Sequence, residues 1–287
     1  MTVLDEAYTL SNGVTIPKLG FGTWLIDDDK AGQAVETAIA CGYRYIDTAQ
    51  AYENERGVGQ GVRDSGLKRE DVFVSTKVRA EHKDYQSAKE SIEASLTRLD
   101  IGYIDLLLIH APEPWSHFHE GDHCLEGNLE AWKAMEEAVE DGKVRAIGVS
   151  NFEDVDLDNI LDHCTVKPVV NQLLTHIGNT RFDLLDYAQK HDILVEAYSP
   201  IAHGEMAGDP TITGMAERYG VSAAQLMIRY CLQIGTLPLP KASSEEHIRA
   251  NADVDFVISE ADMLTLHQIP KVIDYGRSSA FPVFSGR

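Results

Sequence analysis

The sequence predicts an α/β fold in which eight parallel strands alternate with helices and close into a barrel. Short apolar runs rich in strand-forming residues alternate with longer helical stretches along the chain. The runs are apolar throughout, as expected of parallel strands that are buried on both faces and joined by right-handed crossovers. The 287 residues, 44% of them hydrophobic, suit one such barrel, which takes about 250 residues. We therefore expect a (β/α)8 (TIM) barrel as a single domain over residues 1–287.

The individual elements follow from the same patterns. The eight predicted strands are 18–22, 44–47, 72–77, 104–110, 145–150, 168–172, 194–198 and 236–239. The predicted helices are 30–41, 53–65, 87–99, 129–141, 155–163, 182–191 and 222–232. Before them, Asn12-Gly13 separates two further short strands within residues 8–16, and Asn-Gly is the strongest short-range signal for a β-hairpin. The predicted order is therefore a hairpin followed by repeated strand–helix units.

The charge of the chain argues against two classes of partner. The formal net charge is -21 and the isoelectric point is about 4.8, which disfavours binding to nucleic acid and to anionic membrane surfaces. Four scattered cysteines without a C-x-x-C motif are typical of reduced thiols in a cytosol. The first residues show no signal peptide, and the longest apolar run is too short to span a membrane. We expect a cytoplasmic protein.

Three predicted strands carry one ionisable residue at or near their ends: Asp47, Lys77 and His110. Tyr52 follows Asp47 on the next loop. The carboxyl ends of barrel strands meet at one face, where catalytic side chains collect and where a lone charge can find a partner. Each residue alone has an ordinary explanation, since aspartates cap helices and tyrosines pack in cores. Delivered together by successive strands, the four side chains form a candidate active site.

Short motifs spread along the chain resemble those of a known family. They are GFGTW at 20–24, GYRYIDTAQAYENERGVG at 42–59, STK at 75–77, DLLLIH at 105–110, GVSNF at 148–152, NQ at 171–172, AYSP at 197–200 and LPK at 239–241. In this order and spacing the sequence resembles the aldo-keto reductases, which are NAD(P)H-dependent carbonyl reductases built on the (β/α)8 barrel. In that family an N-terminal hairpin closes the bottom of the barrel, and we expect the hairpin at Asn12-Gly13 to do so here.

The resemblance implies a reaction that the four candidate residues can perform. Reducing a carbonyl needs a hydride, which the cofactor supplies, and a proton, which we expect from Tyr52. Because an ordinary tyrosine has a pKa of about 10, Lys77 would lower that pKa by about one to three units. Asp47 would hold Lys77 and balance its charge, and His110 would hydrogen-bond the carbonyl oxygen. The expected function is NAD(P)H-dependent reduction of aldehydes and ketones, with a small-molecule carbonyl compound as substrate.

The resemblance also implies binding residues. Those expected to hold the cofactor are Ser150, Asn151, Gln172, Tyr198, Ser199, Pro200, Ile201, Lys241, Ser243, Ser244, His247 and Asn251. Those expected to contact the substrate are Trp24, Tyr52, His110 and Trp115. Within the cofactor set, Tyr198 would stack on the nicotinamide, and the stretch from Lys241 would border the adenosine phosphate. The chain has no G-x-G-x-x-G motif, and this barrel family does not use one.

The chain departs from the family pattern at positions expected to lie near the cofactor. Where the family often has Ser, Arg and Glu, this chain has Ala242, His247 and Ala250. A guanidinium binds a phosphate through two charged hydrogen bonds, whereas a histidine is mostly neutral near pH 7. We therefore expect NADP(H) as cofactor, preferred by a narrow margin, with NAD(H) also used. The loop after the seventh strand, IAHGEMAGDP, is short as in prokaryotic members and predicts a more open site.

One loop contains residue types that bind zinc, namely His117, His119, His123 and Cys124. They lie within the segment 113–127, which has no regular ligand spacing and corresponds to a variable loop over the substrate pocket. We expect no metal there, and we expect Trp115 to form a wall of the pocket.

Two other functions stay open for a barrel of this kind. Lys77 could form a Schiff base in an aldolase-type enzyme that uses no nicotinamide, but the motifs GVSNF, NQ, AYSP and LPK would then have no task. The barrel could also bind cofactor without catalysis, against which the complete set of four candidate residues argues. The family expectation for the oligomeric state is a monomer, and the physiological carbonyl compound is not evident from the sequence.

Overall fold

The computed structural model describes residues 2–285 and shows a barrel of parallel strands. The chain begins with a hairpin, β1 (Ala7–Thr9) and β2 (Thr15–Pro17), and the barrel strands follow as β3 (Phe21–Gly22), β4 (Tyr45–Asp47), β5 (Phe73–Val78), β6 (Ile104–Ile109), β7 (Val144–Ser150), β8 (Val170–Leu174), β9 (Leu194–Tyr198) and β10 (Leu237–Leu239). Successive strands from β3 to β10 pair in parallel. The amides of Gly20 and Gly22 donate to the carbonyls of Pro238 and Pro240, at 3.1 and 3.0 Å, and so join the two edge strands. The predicted (β/α)8 barrel is confirmed.

Helices cover the outside of the barrel. They are α1 (Asp28–Ala40), α2 (Glu55–Asp64), α3 (Tyr85–Leu99), α4 (Leu125–Glu140), α5 (Asp154–His163), α6 (Phe182–Lys190), α7 (Pro210–Tyr219), α8 (Ala223–Gln233), α9 (Glu245–Ala252) and α10 (Glu260–His267). The seven predicted helices are all present, with their ends displaced by at most four residues. Within residues 2–285, none of the helices is both long enough and apolar enough to cross a membrane.

Three helices are additions to the sequence prediction: α7, α9 and α10. Helix α7 begins with a typical N-cap: the side chain of Asp209 accepts hydrogen bonds from the amides of Thr211 and Ile212. Pro210 occupies the first turn, where proline is favoured. The residues before and at the start of α7 include glycines and a proline, which are typical of loops. Helices α9 and α10 have eight residues each, which is too few turns for the apolar pattern by which helices are recognised to be read with certainty.

The N-terminal hairpin covers one end of the barrel, as the sequence predicts. Its turn contains Gly13 with a φ of +85°, which glycine adopts without strain. Leu10 and Ile16 are buried in the same apolar cluster as Tyr45 and Leu237, whose side chains lie inside the barrel. Because these strand residues precede the carboxyl ends of β4 and β10, the hairpin leaves the opposite end of the barrel open.

The glycines of α2 are needed for close helix packing. A Cβ atom on Gly59 would lie 1.8 Å from the carbonyl oxygen of Leu99 at the end of α3, and one on Gly57 would lie 2.1 Å from the carbonyl oxygen of Asp28 in α1. No larger residue fits such distances without moving the backbone. These glycines therefore bring three helices together on the outside of the barrel.

Candidate active site

Neighbouring strands bring the predicted catalytic residues to the open end of the barrel. Asp47 is the last residue of β4, Lys77 is the penultimate residue of β5, and His110 directly follows β6. Tyr52 ends a short 3₁₀ helix, Gln50–Tyr52, on the loop after β4. Because these strands are parallel and adjacent, their carboxyl ends place all four side chains beside one another.

Lys77 is the centre of the cluster. Its ammonium group donates to both carboxylate oxygens of Asp47, at 2.7 and 2.8 Å, and to the carbonyl of Thr48 at 2.9 Å. The hydroxyl of Tyr52 lies 3.4 Å from the Lys77 nitrogen. Burial favours the neutral amine, but the charge and hydrogen bond of Asp47 and the neighbouring acidic groups together outweigh burial and raise the pKa of Lys77. Lys77 is therefore a fixed cation, which disfavours the aldolase alternative, because a Schiff base forms only from a neutral amine.

The pKa of Tyr52 differs from the sequence prediction. We expected Lys77 to bring it below 10, but burial raises the pKa of Tyr52 more than the Lys77 charge lowers it, and Asp47 raises it further. The prediction considered the cation without the loss of water around the hydroxyl, and in this respect it was wrong. Tyr52 consequently keeps its proton at neutral pH, which is the state required of a proton donor.

His110 is a neutral imidazole at the edge of the cluster. Burial first, and then the positive charges of Lys77 and Arg79, lower the pKa of His110 well below its usual value. Its ring centroid lies 5.7 Å from the Tyr52 ring and 5.1 Å from the Trp115 ring. Its Nδ1 atom is buried without a hydrogen-bond partner in the part of the chain that the structure describes. A neutral imidazole can orient an oxygen through a hydrogen bond, but it does not contribute a charge.

Asn54 is a supporting residue that the sequence reasoning missed. Its side-chain amide donates to the carbonyls of Thr23 and Ile26, both at 2.9 Å, and its oxygen accepts from the hydroxyl of Thr48 at 2.6 Å. One fully buried amide thus holds the loop that carries Trp24 against the turn after β4. The only signal in the sequence was a polar residue directly before α2, where a helix cap is the ordinary expectation.

A cleft of about 580 Å³ opens above the cluster. Its apolar walls are formed by Trp24, Leu25, Trp115, Phe281, Val283 and Phe284. The rings of Trp24 and Phe281 meet edge to face with centroids 4.9 Å apart, and Trp24 also contacts His203 at 5.5 Å. The two predicted substrate-pocket tryptophans therefore stand at the cleft, and the C-terminal segment supplies a third wall. Asp47, Tyr52 and His110 line the same cleft.

Four of the predicted cofactor residues form one face of the cleft: Ser150, Asn151, Gln172 and Tyr198. The hydroxyl of Tyr198 donates to the side-chain oxygen of Asn151 at 2.7 Å, and the hydroxyl of Ser150 donates to the carbonyl of Gln172 at 2.9 Å. Amide and hydroxyl groups beside a tyrosine ring match the donors, acceptors and flat face of a carboxamide-bearing aromatic ring. This donor set fits a nicotinamide.

The remaining predicted cofactor residues lie farther along the rim. Ser199, Pro200, Ile201 and Lys241 line the cleft. Ser243, Ser244, His247 and Asn251 lie on the loop after β10 and on α9, outside the lining of the cleft. The ammonium of Lys241 donates to the hydroxyl of Ser243 at 3.2 Å, while Ser244 caps α9 by accepting from the amide of His247 at 3.3 Å. His247 is exposed and Asn251 is buried.

Glu196 is a second residue that the sequence reasoning missed. It lies in the middle of β9, is fully buried, and accepts a hydrogen bond from the side chain of Gln172 at 2.8 Å. The signal was a single charge in an otherwise apolar strand, LVEAY, and it is the same signal that points to Lys77. Glu196 directly precedes the family motif at 197–200.

The histidine-rich loop shows paired side chains. His123 lies 2.8 Å from Asp156 and His117 lies 3.0 Å from Glu120. Among residues 2–285 there is no group of three or more His, Cys, Asp or Glu side chains that could hold a metal ion.

Comparisons with known proteins identify the family and related structures. The family model described as "Aldo/keto reductase family" matches residues 18–271. An uncharacterized oxidoreductase of Schizosaccharomyces pombe is 40% identical over 93% of this chain and 94% of its own length. A glyoxal reductase of Bacillus subtilis is 39% identical over 91% of this chain and 92% of its own length. Among solved structures, a Bombyx mori aldo-keto reductase in complex with NADP aligns with a TM-score of 0.83 at 32% identity, covering 97% of this chain and 98% of that chain.

Proposed function

Since this chain belongs to the aldo-keto reductase family, we propose that it reduces aldehydes and ketones to alcohols, with Tyr52 as the proton donor. Family membership makes it an NAD(P)H-dependent oxidoreductase, with NADP(H) as cofactor. One observation carries the finer proposal: the buried Lys77 ammonium lies 2.7 Å from Asp47 and 3.4 Å from the hydroxyl of Tyr52, at the floor of an apolar cleft.

The proposed reaction assigns one task to each of the four side chains. When bound, the cofactor supplies the hydride that adds to the carbonyl carbon. Tyr52 donates its phenolic proton to the carbonyl oxygen, so that the products are an alcohol and a tyrosinate. The Lys77 charge stabilises this tyrosinate, and Asp47 holds Lys77 in place. Neutral His110 orients the carbonyl oxygen through a hydrogen bond.

The residues around the cluster would hold the cofactor. We assign Ser150, Asn151 and Gln172 to the carboxamide group and the ring of Tyr198 to the nicotinamide face, since these groups share one wall of the cleft. Lys241 is the cation that lines the cleft at its far end, where a phosphate group would need one. Asp47 and Lys77 neutralise each other, so the cleft floor does not repel the negative charge of the cofactor.

The walls of the cleft favour apolar substrates. Trp24, Trp115 and Phe284 present aromatic surface on both sides of Tyr52. The Bacillus subtilis relative is named a glyoxal reductase, so small dicarbonyl compounds also belong among the candidates. The substrate set to test therefore contains aromatic aldehydes, aliphatic aldehydes, ketones and glyoxal.

The test is an initial-rate measurement of this set with NADPH and with NADH side by side. We expect saturable oxidation of the cofactor with at least one aldehyde, at a higher kcat/KM with NADPH. Cofactor binding without turnover of any carbonyl compound would contradict the proposal and favour a non-catalytic barrel. Carbon–carbon bond cleavage without cofactor would favour the aldolase alternative. The single domain and the monomeric state remain predictions, which limited proteolysis and sedimentation measurements would check.

A further inference from the structure

Glu196 occupies the interior of the barrel directly beneath the cluster. It is fully buried, and its two oxygens contact the hydroxyl of Tyr45 at 2.7 Å and the side-chain amide of Gln172 at 2.8 Å. The same amide of Gln172 also donates to Asp47 at 3.1 Å. One glutamine thus connects Glu196 both to the Asp47–Lys77 pair and to the wall of the cleft to which we assign the nicotinamide.

A second path of hydrogen bonds connects Glu196 to Asp47 through two hydroxyl groups. The hydroxyl of Ser75 donates to Asp47 at 2.8 Å, and the hydroxyl of Tyr45 lies 2.9 Å from the oxygen of Ser75. Each hydroxyl has a single proton. If Tyr45 donates to Ser75, its own oxygen must accept the proton of a neutral Glu196. When Glu196 is protonated, each group can therefore donate a hydrogen bond to the next: Glu196 to Tyr45, Tyr45 to Ser75, and Ser75 to Asp47.

The charges around Glu196 also favour the neutral acid. Asp47 and Tyr45 face it from β4, Lys77 and Ser75 from β5, and Gln172 from β8. The cation among these groups, Lys77, is already bound to both oxygens of Asp47. A second ionised carboxylate would be a buried charge without its own partner, which is costly. Burial and the Asp47 charge accordingly raise the pKa of Glu196 to about 7.

We propose that Glu196 is a positioning residue for carbonyl reduction: as a neutral acid it orients Asp47 through Tyr45 and Ser75, and this keeps Lys77 directed at Tyr52. The inference rests on the proposed function, because it concerns the acidity of Tyr52. When Glu196 loses its proton, Tyr45 turns to donate to it, Ser75 loses a donor, and a second negative charge appears beneath the cluster. That charge makes Tyr52 a weaker acid.

The rate of the reaction should therefore change in a step as the pH rises, and this step depends on Glu196. Hydride transfer in the reduction direction should slow by on the order of three- to tenfold as Glu196 ionises. In Glu196→Gln the side chain is neutral at every pH, its nitrogen can donate to Tyr45, and its oxygen can accept from Gln172. The variant therefore reproduces the low-pH form of the native protein, and its rate should show no such step.

A matched control comes from Glu55, another buried carboxylate on the outer side of the barrel. It accepts from the hydroxyl of Thr76 at 2.6 Å and from Arg98 at 2.7 Å. Glu55→Gln removes a buried charge and lowers stability without changing the groups around Tyr52. Its pH step should equal that of the native enzyme.

The experiment measures single-turnover reduction rates of the native enzyme, Glu196→Gln and Glu55→Gln on both sides of pH 7. We expect a step in the rate of the native enzyme and of Glu55→Gln, and no step in the rate of Glu196→Gln. Equal profiles in native enzyme and Glu196→Gln would overturn the inference.

Difference infrared spectroscopy supplies a readout that needs no turnover. The native protein should show the carbonyl stretch of a buried carboxylic acid below about pH 7, disappearing at higher pH. Glu196→Gln should lack this band and Glu55→Gln should keep it. Absence of any such band in the native protein overturns the inference whatever the activity. A native protein that shows the band but reduces no carbonyl compound contradicts the proposed function instead.

Discussion

At the floor of the cleft Asp47 and Lys77 are buried and held by several hydrogen bonds each, whereas the side chains proposed to bind the cofactor phosphate stand beyond the cleft, on a surface loop and a short helix. The first group, Asp47, Tyr52, Lys77 and His110, is the proposed catalytic end. The second group, Lys241, Ser243, Ser244 and His247, is the proposed phosphate end. Lys77 is fully buried and makes three hydrogen bonds of 2.9 Å or less, two to the carboxylate of Asp47 and one to the carbonyl of Thr48. In contrast, Ser243, Ser244 and His247 are exposed.

The difference indicates that activity and stability depend on the catalytic end, whereas cofactor choice depends on the phosphate end. Strand register sets the catalytic end, so its geometry resists changes elsewhere and its loss costs both activity and stability. The proposed phosphate end lies on the connection after β10 and on α9, where we expect substitutions to be tolerated and to change cofactor choice without disturbing the barrel. Substitutions at the catalytic end should therefore change turnover, and substitutions at the phosphate end should change cofactor preference.

The largest effect is expected from Tyr52→Phe, which removes the proton donor and keeps the ring. Turnover should fall by on the order of 100- to 10,000-fold, the usual contribution of general acid catalysis, while the dissociation constant of NADPH stays nearly unchanged. Steady-state reduction rates and a fluorescence titration of the cofactor measure the two quantities. Tyr187→Phe, which removes a surface hydroxyl bonded to Asp158, is the control. Near-native turnover of Tyr52→Phe would exclude Tyr52 as the acid.

The next effect is expected from Lys77→Met, because it leaves the buried Asp47 carboxylate without its cation. Removing one partner of a buried ion pair costs about 3–5 kcal/mol in the free energy of unfolding, which denaturant titration measures. The double variant Lys77→Met/Asp47→Asn should recover part of this loss. Since Lys77 lowers the pKa of Tyr52, the pH profile of alcohol oxidation should also move to higher pH in Lys77→Met. An unmoved profile would mean that Lys77 serves stability alone.

The sequence predicted that Asp47, Tyr52, Lys77 and His110 lie together, because the signals for this clustering are local. Asp47, Lys77 and His110 each end an apolar strand, and parallel pairing of β4, β5 and β6 brings strand ends together without any further information. Glu196 lies in the middle of β9 rather than at its end, so a rule based on strand ends passes over it. The pKa of Tyr52 was out of reach, because its direction depends on how burial compares with the Lys77 charge, and burial depends on the whole barrel.

The phosphate end was harder to predict because its shape depends on one short helix. Helix α9 has only eight residues, begins at Glu245, and is capped by Ser244. Arg249 lies only two residues after His247 in the sequence. With 3.6 residues per turn the two side chains point about 200° apart. Only the structure therefore shows that Arg249, which binds Glu245 at 2.9 Å, cannot stand in for an arginine at position 247.

An intermediate effect is expected from His247→Arg, which restores the usual family residue. A charged hydrogen bond contributes about 1.5–3 kcal/mol, so NADPH should bind about ten- to a hundredfold more tightly. NADH has no 2′-phosphate and should bind as before. Arg249→Gln is the control, and it should leave the ratio of the two dissociation constants unchanged. If this ratio does not move in His247→Arg, or already exceeds about a thousandfold in the native enzyme, position 247 does not contact the phosphate.

The smallest effect is expected from Ser243→Ala. The hydroxyl of Ser243 accepts from the Lys241 ammonium at 3.2 Å on an exposed loop, so its removal should leave the barrel stable and turnover unchanged. A single hydrogen bond of this kind contributes about 0.5–1.5 kcal/mol, which corresponds to about two- to tenfold weaker NADPH binding, measured at constant salt. Ser244→Ala differs because it also removes the cap of α9 and should cost about 1 kcal/mol of stability. Equal weakening of NADH binding in Ser243→Ala would place Ser243 at a part of the cofactor that both nucleotides share, rather than at the 2′-phosphate.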